Sequence, residues 1–348
     1  MTGRFLQACR LQAVDATPVW FMRQAGRSFA AYRRLRETYG ILELAKNPTL
    51  CAEVTLMPVH ELGVDAAVLF ADIMLPLETM GVGLRIEPEI GPIIDNPIRS
   101  AADVARLGIF DPDGVAFTLE AVRIVTRELA GRAGVIGFSG APFTLACYLI
   151  EGKPSRDYAL AKAFMFREPE AWHDLMARLS SMIAAYLRAQ VEAGADVVQV
   201  FDSWVGGLSP ADYRTYVQPH VRRIFEAIDD VPTIHFGTGT AALLDDLAAA
   251  GGDVIGIDHR QSLAAAWSRI GPERGVQGNL DAARLLAGWD ATEAGARVVL
   301  DEAAGRRGHI FNLGHGVLPS TDTDLLRRLV DFVHEETADK PVLAEATS

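Results

Sequence analysis

Arg23 and Arg27 stand four residues apart in Pro18-Val-Trp-Phe-Met-Arg-Gln-Ala-Gly-Arg27. Two guanidiniums held that close repel each other unless an anion lies between them. The guanidinium fork is shaped to grip carboxylate or phosphate. Taken alone, the pair reads equally well as solvated charge at the start of a surface helix. Other residues with chemical capacity recur in the same setting, directly after short apolar runs. They are Phe70-Ala-Asp72, Gly137-Phe-Ser-Gly-Ala-Pro-Phe-Thr144 with Tyr148 and Glu151 shortly after, Phe201-Asp-Ser-Trp204, His235-Phe-Gly-Thr-Gly239, Asp258-His-Arg260, Gln277-Gly-Asn-Leu-Asp281 and Asn312-Leu-Gly-His-Gly316. One such turn could be structural chance, but a series of them points to a shared site.

The elements that would bring these turns together follow from the apolar pattern. Short runs at 19–22, 67–70, 135–138, 197–201, 233–236, 254–257, 275–277 and 310–313 read as strands. They alternate with helical patterns such as 171–193, 241–250 and 322–336, so a parallel sheet buried on both faces is expected. Roughly eight such units fit a (β/α)8 TIM-type barrel, whose active sites lie at the C-terminal ends of the strands. The competing open doubly wound sheet lacks its Gly-x-Gly-x-x-Gly fingerprint after the first strand. One barrel domain over 1–348 is expected, with 340–348 as a frayed tail. Residues 81–100, rich in Gly, Pro and Ile, read as a hairpin or extended loop. No linker, low-complexity segment or sequence repeat is visible.

Composition narrows the classes of function. With 49% apolar and 22% charged residues, the 348-residue chain is globular in type. No run of ~18 apolar residues suggests a membrane span, and the first ten residues do not read as a secretion signal. Cys9, Cys51 and Cys147 are few, odd in number and scattered, as expected of reduced thiols in a cytoplasm. A net charge of −12 argues against nucleic acid as a partner. It does not exclude an anionic ligand, because screening over ~8 Å lets local arginines outweigh a distant surface.

The motifs resemble those of the uroporphyrinogen decarboxylase family. Residues 18–27 are similar to its first signature, and Gly137–Thr144 with Tyr148 and Glu151-Gly152 to its second. Gln277–Asp281 and Phe311-Asn-Leu-Gly-His-Gly316 also fit, and the likeness runs from about residue 4 to residue 335. Two departures stand out. Ser28-Phe29-Ala30 replaces the usual Tyr-Leu-Pro, and Ala282 replaces a frequent Pro, which is expected to alter only a helix start.

The resemblance implies a cofactor-free decarboxylase. Its substrate, uroporphyrinogen, is a flexible tetrapyrrole with four acetates and four propionates. Each acetate becomes a methyl group, giving coproporphyrinogen on the route to haem and chlorophyll. The pyrrole serves as its own electron sink once a ring carbon is protonated. The resemblance assigns catalysis to Asp72, Arg23, Tyr148 and His315. It assigns substrate contact to Arg23, Gln24, Ala25, Gly26, Arg27, Asp72, Tyr148, Ser203 and His315. It also implies a cytoplasmic homodimer with no metal, nucleic-acid or membrane partner.

Each residue keeps a plainer alternative. Asp72 would face the cationic ring, but on its own reads as a helix N-cap. Tyr148 could donate to a carboxylate or steady Asp72, or be a core tyrosine. Ser203 could hold a propionate or cap a helix. His315, between two glycines, could bind a propionate and respond to pH. Met22 and Phe201 would wall the site or fill the core. Arg23 is a poor general acid, since its proton leaves with difficulty, so the acid stays open.

Other features are discounted. His235 and His259 have no cysteine at ligand spacing, and position 237 is Gly where a zinc-dependent methyltransferase on the same barrel would want Cys. Ser139 is not in a Gly-x-Ser-x-Gly elbow. Asp202 and Asp258 read as caps or orienting groups, and Gly237-Thr-Gly239 as a weak phosphate-loop lookalike. A non-catalytic tetrapyrrole-binding protein is the second alternative, but it predicts a degraded ring of strand-end residues.

Overall fold

A computed structural model describes residues 3–87 and 90–338. The expected tail at 340–348 lies outside the described residues. Runs of Val, Ile and Phe favour the pleated, buried surface of a strand. They form β1 (Ala66–Val68), β4 (Gly134–Gly140), β5 (Val197–Asp202), β6 (Thr233–Gly237), β7 (Val254–Gly256), β8 (Gly275–Leu280) and β9 (His309–Leu313). These seven make one parallel sheet in the order β1-β4-β5-β6-β7-β8-β9. Every residue of β4, β6, β8 and β9 is buried, as a sheet covered on both faces requires. Between β1 and β4, β2 (Leu84–Glu87) and β3 (Gly91–Ile94) pair antiparallel as the expected hairpin. The three expected helices form as Pro169–Glu192, Leu244–Ala250 after a 3-10 turn, and Thr323–Thr337 capped by Asp322.

The first expected strand, 19–22, is not one. It is an extended segment joined to β9 by a single parallel bridge, Val19 to Phe311. The physical reason lies in its donors. Pro18 has no N–H to give to a ladder. The Val19 N–H goes to Asp65 Oδ2 at 2.7 Å, that of Phe21 to Gln24 Oε1 at 2.9 Å, and that of Met22 to Asn312 Oδ1 at 3.1 Å. Side chains thus take the bonds that a neighbouring strand would take. The segment still closes the ring: Phe311 donates to the Pro18 carbonyl on one side, and Asp65 to the Val19 carbonyl on the other.

A recurrence hidden in the sequence appears at the opposite end of the strands. Asp65, Asp196 and Asp253 each immediately precede a strand, β1, β5 and β7. Each carboxylate accepts a backbone N–H from the neighbouring strand segment: Val19 at 2.7 Å, Val135 at 2.8 Å and Thr233 at 2.7 Å. Each aspartate's own N–H returns a bond to the carbonyl of that same residue. Three reciprocal staples therefore pin adjacent strands in register. Asp65 is the most heavily used, since His334 Nε2 of the last helix also lies 2.8 Å from Oδ2 and Arg4 lies 3.5 Å from Oδ1.

Asp65→Ala would leave the buried Val19 N–H without a partner. Loss of one charge-assisted bond to a buried group is worth about 1.5–3 kcal/mol, so urea unfolding should show a destabilisation of that order. A variant as stable as wild type would remove Asp65 from the closure.

Candidate active site

A cavity of about 470 Å³ opens at the C-terminal ends of the strands. Its floor is aromatic. Phe138, Phe201 and Phe236, from the adjacent strands β4, β5 and β6, meet edge to face, with ring centres 5.5 and 6.0 Å apart. Met22 and Val68 extend the apolar wall. Around this floor stand Arg23, Ala25, Gly26, Arg27, Asp72, Tyr148, Ser203 and His315. Residues from widely separated stretches of sequence thus share one cavity.

Gln24 does not line the cavity. Its side chain is wholly buried, accepting from the Phe21 N–H and donating to the Ala66 carbonyl at 2.8 Å. This side chain is a support for the turn. Gln24 shapes the turn that presents its neighbours.

That turn is demanding. Arg23 sits at φ 57°, a left-handed conformation disfavoured for a residue with a Cβ by roughly 1–2 kcal/mol. Asn312 accepts from the Met22 N–H, and Val317 donates to the Met22 carbonyl at 2.8 Å. The stem of Arg23 lies across Gly316. A Cβ there would come within 2.6 Å of Arg23 Cδ, so a larger residue at this position of the Gly-His-Gly motif would displace the arginine stem. Both Arg23 and Arg27 are exposed, and neither guanidinium makes a hydrogen bond or ion pair among the described residues. They are available cations.

Asp72 lies recessed in the same cavity. Its Oδ1 accepts from the Met74 N–H at 2.9 Å, just before the helix Leu75–Thr79. The plainer reading of a turn-capping residue therefore holds for one oxygen, while Oδ2 makes no hydrogen bond among the described residues. Burial raises the Asp72 carboxyl above its ordinary range. The Met74 N–H and Arg23 pull it back, and the Glu78 charge adds to the rise.

Tyr148, on the helix Pro142–Glu151, is pushed up to about 12, first by burial and next by the Asp72 charge. Its phenol is therefore a neutral donor at physiological pH. Its ring lies 4.3 Å from that of Trp204, which stacks at 4.7 Å on Tyr158. Burial and the Arg23 charge hold the His315 imidazole below its usual 6.5, so it is neutral near pH 7. Ser203 borders the cavity, and its carbonyl accepts from the Thr238 hydroxyl at 2.5 Å.

The remaining strand-end residues sit elsewhere. Asp202 and His235 are buried outside the cavity lining, 3.7 Å apart. Asp258 accepts from the Arg260 N–H in its own turn and from the Gly239 N–H in the turn after β6. Ser139 donates to the Gly140 carbonyl, and Glu151 accepts from the Leu160 and Ala161 N–H groups at a helix start. Asp281 accepts from the Ala283 N–H at 2.9 Å beside Ala282.

The chain matches the family model "Uroporphyrinogen decarboxylase (URO-D)" over residues 2–336. It belongs to the uroporphyrinogen decarboxylase family. A relative of that name from Roseiflexus sp. (strain RS-1) is 54% identical over 345 residues, 97% of this chain and 99% of the relative. Another, from Streptomyces coelicolor, is 55% identical over 335 residues, 96% and 94% respectively. A solved methyltransferase from Methanosarcina mazei shares the fold with TM-score 0.79 over 97% of this chain and 99% of its own, at 20% identity. Its likeness confirms the barrel and nothing further.

In this chain the loop that departs from the family pattern is held locally. Phe29 is buried and anchors the loop, Ser28 borders the cavity, and Ala30 begins the helix Ala30–Thr38. Sequence reasoning missed Tyr32, Ile73 and Pro92, which also line the cavity. Nothing in their local pattern marks them, because they reach the site from a helix, a turn and the β2–β3 hairpin.

The His315 environment can be checked directly. Its imidazole should titrate below 6.5 by NMR and move upward in Arg23→Gln, since a nearby positive charge is removed. An unchanged titration would separate the two residues.

Proposed function

We propose that this chain decarboxylates the four acetates of uroporphyrinogen III, giving coproporphyrinogen III for tetrapyrrole synthesis. The observation that supports it most is a pair of unpaired arginines and a recessed, unpaired carboxylate in one aromatic-floored cavity. A polycarboxylate macrocycle asks for that combination. Its periphery is anionic and its ring becomes cationic in the reaction.

Arg23 and Arg27 hold peripheral carboxylates by charge-assisted bonds. Ser203 and neutral His315 add donors, and the backbone of Ala25 and Gly26 borders the same rim. The phenylalanine floor takes the flat apolar faces of the pyrroles. When a ring carbon is protonated, the positive charge spreads to the pyrrole nitrogens, and Asp72 faces that charge. A carboxylate fixed in place beforehand stabilises the cation without reorganising. The acetate C–C bond then delivers its electron pair into the ring as carbon dioxide leaves, protonation of the exocyclic carbon gives the methyl group, and loss of the proton first added to the ring carbon restores the neutral pyrrole. Tyr148 holds the neighbourhood of Asp72 with a neutral phenol. Arg23 orients the reacting acetate. The pyrrole supplies the electron sink, so the chemistry needs no metal or cofactor.

The protein works as a cytoplasmic homodimer on this reading. Among the described residues no helix is long and apolar enough to cross a membrane. A methyltransferase reading is disfavoured by Gly237, which supplies no thiolate two residues after His235.

Anaerobic incubation with reduced uroporphyrinogen III and a chelator should yield coproporphyrinogen by chromatography. Persistence of the eight-carboxylate species sinks the assignment. The pH profile gives a second check. Catalysis needs ionised Asp72, whose carboxyl is raised by burial. Activity should therefore fall on acidification at a pH above the ordinary carboxylate value of 3.8. Glu78→Gln removes a negative neighbour and should move that acid limb to lower pH; movement the other way contradicts the assignment.

A further inference from the structure

Arg27 carries its free guanidinium on a short loop without proline, Ser28-Phe29-Ala30. The Phe29 N–H bonds back to the Gly26 carbonyl at 3.0 Å, and the Phe29 side chain is buried. The carbonyls of Arg27 and Ser28 are taken up by one cation. Arg33 Nη1, with two hydrogens to give, lies 2.7 Å from the Arg27 carbonyl oxygen and 2.8 Å from that of Ser28. Its own backbone N–H donates to the Phe29 carbonyl at 3.1 Å. Arg33 itself is not among the residues that line the cavity.

We infer that Arg33 is a positioning residue for Arg27, clamping the backbone from which that guanidinium reaches substrate carboxylates. The inference rests on the reading of Arg27 as a carboxylate-holding group. The clamp acts in two ways. It limits the freedom the Arg27 loop would lose on binding, which lowers the entropic cost of association. It also engages two carbonyl oxygens, groups that a polycarboxylate repels. A clamp of this kind affects holding rather than bond breaking, so its loss falls on KM and leaves kcat.

A neighbouring residue separates clamp from charge. Arg34 is the next residue on the same helix, is exposed, and makes no hydrogen bond or ion pair among the described residues. Arg34→Gln removes the same charge without touching the loop.

The test combines KM and kcat with equilibrium binding of uroporphyrin, the stable oxidised macrocycle, followed by fluorescence. Arg33→Gln should raise KM and the uroporphyrin Kd by about 5–10-fold, with kcat changed less than about twofold. Arg34→Gln should change all three by less than about twofold. In an Arg27→Gln background, Arg33→Gln should add little, because residues that act through one another are not additive. Equal effects of Arg33→Gln and Arg34→Gln overturn the clamp, as does a full multiplicative effect in the Arg27→Gln background. A melting temperature for each variant shows that the comparison is between folded proteins. Wild-type protein that binds no uroporphyrin contradicts the functional reading itself, and the clamp falls with it.

Discussion

The barrel closes through residues 18–22, and the placement of the site depends on how that closure is made. The segment cannot build a full ladder because Pro18 has no donor and the next N–H groups are claimed by Asp65, Gln24 and Asn312. Asp65 grips it at one end of the barrel and Asn312 at the other. Its final residue leads directly into Arg23. Closing the ring and placing the first guanidinium are therefore the same structural event. The unfavourable left-handed turn at Arg23 is tolerated because this framework holds it from both sides. Gly316 then leaves the space across which the arginine stem lies.

The second constraint is electrostatic. The chain is acidic overall, yet its cavity offers two unpaired guanidiniums beside one unpaired carboxylate. A direct Arg23–Asp72 ion pair would cancel both charges, and none forms among the described residues. Burial raises the Asp72 carboxyl, and Arg23 without a direct bond offsets only part of that rise. The arrangement suits a ligand that is anionic at its rim and becomes cationic at its centre. Tyr148 and His315, both neutral near pH 7, add donors without disturbing that balance of charge.

Much of this was legible in the sequence. Apolar runs followed by polar turns marked the strand ends, because a parallel barrel buries its strands on both faces and exposes its chemistry where they stop. The Arg23–Arg27 spacing, Asp72, Tyr148 and the Gly-His-Gly turn all come together in the structure. Other features left no local signal. The Asp65 bond to Val19 spans 46 residues, and the Asn312 bond to Met22 spans 290. Side-chain-to-backbone bonds of this kind carry no periodicity, so residues 19–22 read as an ordinary strand and the three strand-start aspartates left no pattern to read. The supporting role of the Gln24 side chain was hidden for the same reason. It stands between cavity residues in sequence, yet its amide is consumed by the Phe21 and Ala66 backbone.

The proposed function divides labour in this site: the arginines are to hold the substrate, and Asp72 is to act on the charge that the reaction creates. Asp72→Asn tests that division most directly, because an amide oxygen can still accept from the Met74 N–H while the charge is lost. The measurement is uroporphyrinogen affinity and single-turnover rate on the same variant. Binding should be equal to or tighter than wild type, since a negative charge is removed beside a polyanion, with a rate lower by roughly 10²–10³-fold. A variant that turns over at the wild-type rate, or one whose main defect is lost affinity, would contradict the division.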